Sequence, residues 1–322
     1  MRNVILILLG TIIFANPVIG KTIRLAHALP ATHTIAQASE KFKEGVEKRT
    51  NGDLKIEIFP SGSLVPARDA LQATSKGVVE MAWIAFAFWP KEFPVSTSIA
   101  VVPFGWTWDK AKKVSEKALP YFNSELKKHG LKSIIPAGGS GEWMLNKYID
   151  PNNPDWSGLR VRSAGGTYTM IVETLGAAAV TMPVSEVPGA VRTGVIDGFV
   201  TGISNYVTWD LSKPAPYVYI TQGTIDLGNI YVINEKYFNS LSNSHQKILT
   251  EEGLKAANWL YGVASESDKQ KEIEAKNLGA TVIKLNSNQR RIWKKKMSPV
   301  YDKLRAKIGS KFDNWMNTVE NL

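Results

Sequence analysis

The sequence predicts an α/β protein of two lobes, joined by several crossings of the chain rather than by one linker. Three observations lead there. Segments with a two-residue apolar period alternate with segments of helical period in a β-loop-α-β succession, the pattern of a parallel sheet covered by helices. The length of 322 residues suits about two domains. No internal repeat or low-complexity stretch marks a single boundary between them. Hydrophobic residues at 44% and charged residues at 21% exclude a disordered, collagenous or coiled-coil chain.

From the N-terminus, Met1-Arg2-Asn3, an apolar run over 4–15, Pro17 and Val18-Ile19-Gly20 read as an export signal cleaved after Gly20. The run falls short of the roughly 20 residues that a membrane helix needs, so the mature chain is expected to begin at Lys21 and to work outside the cytoplasm. Residues 22–27 read as a strand, and Ala38, Phe42 and Val46 recur at helical spacing within 34–49. Asn51-Gly52-Asp53 turns the chain into an alternating strand at 54–59. A helix over 67–76 and an apolar strand at 81–84 complete the first unit. Next come a helix at 109–129, strands at 132–136, 143–146 and 159–162, and helices at 167–175 and 185–193 around a strand at 179–182. Strands at 196–201, 217–221 and 230–234 follow. Residues 244–275 form a long helix-rich stretch without proline, with Gly253 and Gly262 its only glycines. A strand at 281–285 and helices at 287–308 and 311–319 close the chain.

The chemistry is narrowed mostly by what is missing. There is no cysteine, which removes disulfides, thiolate zinc sites and a cysteine nucleophile. His27, His33, His129 and His245 have no metal-ligand spacing, so no metal or other cofactor is expected. Nucleotide-binding fingerprints and a nucleophile elbow are absent, and no nucleophile, base and orienter set can be assembled, so the chain is not expected to be an enzyme. The net charge of +10 suits anionic partners. Its densest piece, Arg290-Arg291 with Lys294-Lys295-Lys296, surrounds Ile292 and Trp293 as the solvated face of a helix with a buried stripe. No nucleic-acid partner is expected from it.

In an open parallel sheet, ligands sit beyond the carboxyl ends of the strands, where helix N-termini leave N–H groups free. That rule singles out His27 and the loop to His33, then 62–64, 85–89, 162–166 and 201–205. Arg162 is the most informative. It ends an apolar strand and precedes Ser163-Ala164-Gly165-Gly166 at a helix start, a guanidinium fork beside backbone donors that suits a carboxylate, sulfonate or phosphate. An inter-lobe salt bridge is the other use of such an arginine. Trp83, Phe86, Phe88 and Trp89 form an aromatic cluster that either packs a core or walls a small-ligand cleft.

Gly158-Leu-Arg-Val-Arg162, Leu175-Gly-Ala177, Met182-Pro-Val-Ser-Glu-Val187 and Thr193-Gly-Val-Ile-Asp-Gly198 occur in that order, together with 42–50, 59–64, Val102-Pro-Phe104 and 230–234. In this order and spacing the mature chain resembles the solute-binding proteins of tripartite ATP-independent periplasmic (TRAP) transporters, the DctP family. The resemblance implies a type II periplasmic-binding-protein fold: two α/β lobes that close on an organic anion, with a long helix spanning both. It implies a first lobe of 21–137 plus about 223–262 and a second of 138–222 plus about 263–322. It also implies a periplasmic location, a TRAP membrane permease as partner, and Arg162 as the residue that pairs with the ligand carboxylate.

Three departures from the family pattern bear on the cargo. Phe199-Val-Thr-Gly202 stands where many members have Gln-Glu-Asn-Pro, leaving Thr201 as the hydrogen-bonding residue. A second arginine of sialic-acid-type members is replaced near Glu142 or Trp143, and a polar group after the third strand becomes Ala85-Phe86. The pocket is therefore expected to be more apolar than a sugar-acid site. The expected ligand is a small carboxylate, a sulfonate or a zwitterion. Arg162 fixes the anion, with Gly165 and Gly166 as backbone donors, Phe86, Trp89 and Trp209 as aromatic walls, and His27, Glu142, Thr201 and Asn205 as secondary polar contacts. A monomer is the default. A receptor for an ATP-driven importer or a sensor kinase, and an exported hydrolase or lyase, are the rival readings.

Overall fold

The computed structural model describes residues 21–104, 106–221 and 224–322; the expected signal segment 1–20, with its cleavage point, lies outside them, as does the lobe boundary at 223. The chain runs β1 (Lys21–Ala26), α1 (Thr34–Arg49), β2 (Leu54–Phe59), α2 (Ala70–Ser75), β3 (Met81–Ala85), α3 (Pro94–Ala100), α4 (Trp108–Leu126) and β4 (Leu131–Ser140). It continues through β5 (Glu142–Leu145), β6 (Arg160–Ser163), α5 (Gly166–Thr174), β7 (Ala178–Thr181), α6 (Val187–Arg192), β8 (Gly198–Thr201), α7 (Ile203–Thr208) and β9 (Tyr217–Ile220). Last come β10 (Ile225–Asn234), α8 (Glu235–Asn239), α9 (Asn243–Asn277), β11 (Thr281–Lys284), α10 (Ser287–Lys296), α11 (Ser298–Ile308) and α12 (Ser310–Glu320).

These strands form two sheets, in the orders β2-β1-β3-β10-β4 and β11-β9-β5-β8-β6-β7. Each is parallel except for one strand: β10 is antiparallel to β3 and β4, and β5 is antiparallel to β8 and β9. The two exceptions share a cause. Each is the first strand after the chain crosses between lobes, from β4 directly into β5 and from β9 into β10. A chain arriving from the cleft meets its new neighbours at their carboxyl ends, and without a helical return connection it must lie antiparallel to them.

The two crossings are tied together where Gly141 N–H donates to Thr224 O at 2.9 Å. A third crossing is α9, whose 35 residues extend about 52 Å at 1.5 Å per residue. It packs on α1 and β4 in the first lobe and on α7 and β11 in the second. Gly253 explains how it lies so close to the first sheet: a Cβ there would come within 2.2 Å of Ile134 O.

The sequence reading placed one helix over 287–308. Pro299 sits in the first turn of α11, and proline supplies no N–H to a preceding turn, so two helices form around Met297. The last helices also serve both lobes rather than the second alone. Trp293 of α10 is buried against Trp156 (6.0 Å) and Tyr219 (5.9 Å), with Nε1 donating to Pro151 O at 2.9 Å. Trp315 of α12 packs on Trp106 (6.0 Å) and Tyr121 (5.9 Å) beside the first sheet. The basic run before Met297 keeps Lys294, Lys295 and Lys296 exposed while Trp293 is buried, as its spacing predicts.

Candidate functional site

Arg162 lies on β6, between the parallel strands β8 and β7, near the carboxyl ends that face the first lobe. Two carbonyls from those neighbours orient the guanidinium: Nε donates to Met182 O (3.0 Å) and Nη1 to Val200 O (2.7 Å). The residue is 2% exposed, and among the described residues no carboxylate lies within ion-pair distance. Arg160, two residues earlier on the same strand, is the contrast. Its guanidinium is half exposed and bonded to both oxygens of Asp197, at 2.9 and 3.1 Å. Burial lowers the Arg162 pKa to about 10, which leaves it charged at neutral pH. A buried charge without a counter-ion costs several kcal/mol.

Arg162 lines a cavity between the lobes that offers about 70 Å³ to the centre of a water-sized sphere. The second lobe contributes Arg162, Ala164, Tyr168, Val200, Thr201 and Asn205. Asn205 Nδ2 donates to Thr201 Oγ1 at 2.9 Å, and its Oδ1 is buried without a partner among the described residues. Burial pushes the Tyr168 hydroxyl well above its usual pKa, and the ring lies within the fields of both Asp226 and Arg162.

The first lobe contributes His33, Trp83, Phe88, Asp226 and Asn229, and the end of β4 adds Gly139 and Ser140. Nδ1 of His33 accepts the Ile35 N–H at the start of α1 (3.1 Å), so Nε2 carries the ring proton. Burial depresses its pKa to about 4, which keeps the ring neutral. Asp226 stands at a bulge where the β10–β4 register slips between Asp226 and Asn229. Its Oδ1 accepts the Gly228 N–H at 2.7 Å, and burial pushes the carboxyl up to about 7.

The lobes are in contact around this space. Thr167 Oγ1 donates to Thr97 O (3.2 Å), and the Thr32 and Thr208 hydroxyls meet at 3.1 Å across the outer lip. Gly165, with φ of +100°, lies so close to the first lobe that a Cβ would approach Ala87 O to 2.3 Å.

Of the residues singled out in the sequence, Arg162, Thr201 and Asn205 line this cavity, as do His33 from the first loop and Trp83 and Phe88 of the aromatic cluster. Phe86, Trp89, His27, Gly165, Gly166, Trp209 and Glu142 are not in its lining. Phe86 is turned into the first-lobe core against Phe93 and Phe122, both at 4.9 Å, because β3 alternates and places Trp83 and Ala85 on the cavity side. Trp89 packs on Phe88 from behind. His27 is buried against Tyr231. Gly165 and Gly166 are inter-lobe packing points, and the Gly165 N–H is taken by Ser163 Oγ at 3.2 Å. Trp209 lies at the far end of α7, its carbonyl bonded by Arg192. Glu142 faces a separate cavity at the hinge, where Thr221 N–H donates to its Oε2 at 2.7 Å. Tyr168, Asp226 and Asn229 were missed. The turn of α5 beyond the Gly-Gly pair could have indicated Tyr168. A bulge leaves no sequence signal comparable to a strand period, so Asp226 and Asn229 had none.

Among the described residues no group of three His, Asp or Glu side chains could hold a metal ion, and no helix is long and apolar enough to cross a membrane. Residues 25–307 match the family described as DctP, bacterial extracellular solute-binding protein, family 7. The C4-dicarboxylate-binding periplasmic protein DctP of Rhodobacter capsulatus is 24% identical over 306 residues, spanning 92% of this chain and 89% of that protein. Among solved structures, the Bordetella pertussis receptor DctP7, which binds pyroglutamic acid, superposes with a TM-score of 0.86 at 19% identity, over 94% of this chain and 100% of its own. A TRAP solute-binding protein of Rhodoferax ferrireducens with bound malonate superposes at 0.83 with 18% identity, over 93% and 97%.

Proposed function

The chain belongs to the DctP family of bacterial extracellular solute-binding proteins, and on that premise we propose that it is the periplasmic receptor of a TRAP transporter, capturing a small organic carboxylate between its lobes. Arg162 carries this reading. It is a buried guanidinium, charged at neutral pH, whose only hydrogen-bond partners among the described residues are two neutral carbonyls. A carboxylate of the ligand supplies the missing counter-ion, with the charge-assisted geometry that makes such pairs strong.

The ligand touches walls from both lobes, so it stabilises the closed arrangement by its differential affinity for that state. The closed form then presents the cargo to the membrane permease. Tyr168, Thr201 and His33 supply neutral polar contacts, while Trp83 and Phe88 cover the apolar part of the cargo. No step here breaks a covalent bond.

A thermal-shift screen of organic acids, sulfonates and zwitterions tests the reading, because a ligand that binds only the folded chain raises its apparent stability by mass action. The expected hit is a small carboxylate, and Arg162→Ala abolishes its shift while the ligand-free variant still unfolds cooperatively. An unchanged Kd in that variant would remove Arg162 from the site.

A further inference from the structure

The positive charge of the chain is unevenly placed. Residues 287–322 carry nine Lys or Arg against three Asp or Glu, a balance of +6 out of the +10 of the whole sequence. The excess is densest on α10, which has no acidic residue and places Arg290, Arg291, Lys294, Lys295 and Lys296 within two turns. The ion pairs formed beyond residue 280 are those of Lys284 and Arg305, so among the described residues none of the five has a carboxylate within ion-pair distance. Lys41 and Lys43 of α1, and Lys255 and Lys271 of α9, by contrast each meet a Glu three or four residues away. The dipole of α10 favours cations in its last turn, Lys294 to Lys296, but gives no reason for Arg290 and Arg291.

Burial of Trp293, with Nε1 on Pro151 O, fixes which side of α10 faces inward. At about 100° per residue, Arg291 and Lys295 stand about 20° from the direction opposite that ring, and both are exposed. The same hydrogen bond seats the loop 146–157 beside α10. That loop adds Lys147 and Tyr148, whose ring is edge-on to Tyr217 at 5.8 Å and which is 51% exposed. Lys147 and Lys296 border one site, since both charges join the Ser157 hydrogen bonds in holding the Asp155 carboxyl below its usual range. We propose that this face rests on an anionic phospholipid surface, holding the receptor weakly at the membrane through α10 and the loop beside it. Clustered, unpaired cations are attracted to a negative lipid surface far more than cations paired on a mixed-charge helix, and a tyrosine beside them suits the headgroup layer. A nucleic acid would also attract the charge, but Trp293, the one aromatic of α10, is buried and cannot stack on a base. The extracytoplasmic location is taken from the receptor reading, whereas the chemistry of this surface is independent of Arg162 and the cargo.

Sedimentation with vesicles tests the proposal, using phosphatidylcholine alone and phosphatidylcholine with about one third phosphatidylglycerol. At low salt the mature protein is expected to partition at least about tenfold more strongly onto the mixed vesicles, a preference that about 300 mM salt should abolish. Arg291→Gln, Lys294→Gln and Lys295→Gln combined should cut the partition about tenfold or more, with carboxylate affinity unchanged. Glutamine suits a helix nearly as well as lysine or arginine, so α10 should persist and the melting temperature should hold. The same number of charges removed from α4, as Lys112→Gln, Lys113→Gln and Lys117→Gln combined, should cost less than about threefold. Equal partition onto both kinds of vesicle would overturn the proposal. Equal losses in the two triple variants would also overturn it, by assigning the effect to net charge. Binding to a DNA duplex with none to the vesicles would overturn it in favour of a nucleic acid. None of these outcomes touches the anion reading, which fails separately if no organic acid binds.

Discussion

Two of the cavities along the seam between the lobes resolve buried charge in opposite ways. The first holds Arg162, which among the described residues has no carboxylate within ion-pair distance. The hinge cavity, larger at about 260 Å³ on the same measure, gathers Glu142, Asp268 and Glu272 beside Trp108. There the protein satisfies its own groups. Thr221 donates to Glu142, Trp108 Nε1 donates to Asp268 at 2.8 Å, and Lys284 stands 3.4 Å from Glu272. Burial pushes Glu142 up to about 8 and Asp268 to about 6. A carboxyl can escape the cost of burial by keeping its proton, whereas a guanidinium cannot shed one near neutral pH. On the proposed reading, the buried arginine takes an external partner and the buried acids do not. On the same reading the difference separates the proposed binding site from the hinge side, although both are clefts lined by charged side chains.

The largest effect should come from exchanging the key residue of each cavity. Arg162→Met is expected to weaken binding of the best carboxylate by about 100-fold or more, while Glu142→Gln changes it by less than about threefold. Calorimetry on the two variants would break the contrast if Glu142→Gln proved as damaging. The ligand-free Arg162→Met protein should melt within about 3 °C of the wild type or above it, since an uncompensated buried charge has been removed.

A smaller loss is expected for Gly165→Ala, about tenfold in Kd, because the added methyl meets Ala87 O at the closed interface and the φ of +100° disfavours any side chain. An undiminished affinity would mean that the lobes need not meet at Gly165 when the ligand is held.

The hinge cavity should announce itself through pH. A folded-state pKa of about 8 for Glu142 against an ordinary 4.5 means that the folded chain keeps a proton the unfolded chain has released. Stability therefore falls as pH rises from 6.5 towards 8, and Asp226 at about 7 adds to the slope. His27 and His33, both lowered to about 4, act below their ordinary 6.5 with the opposite sense, losing stability on acidification, so the upper window is clean of them. Melting curves across it should flatten in Glu142→Gln, and an unchanged slope would mean that Glu142 is ionised in the fold. The smallest effect belongs to Thr208→Val, which removes one exposed hydroxyl contact with Thr32 and should cost no more than about threefold in affinity.

Periodicity made most of this architecture legible: alternation marked the strands and helical spacing marked α1, while a long stretch without proline marked α9. Arg162 was legible because a charged residue ending an apolar strand before a Gly-Gly helix start has few structural uses. Glu142 shows the limit. It sits one residue past the crossing at Gly141, and sequence position does not reveal which of two neighbouring cavities a side chain enters there. The aromatic cluster was identified as a group, but its members divided by strand alternation, with Trp83 facing the cavity and Phe86 the core. Asp226 depends on a register slip that only the paired strands display.

A crystal structure of the protein with its bound cargo tests the central claim most directly. A ligand carboxylate oxygen should lie within about 3 Å of Arg162 Nη2, with the bonds to Met182 O and Val200 O retained. A cargo whose anionic group sits elsewhere, with the Arg162 guanidinium turned to a protein carboxylate or to solvent, would contradict it.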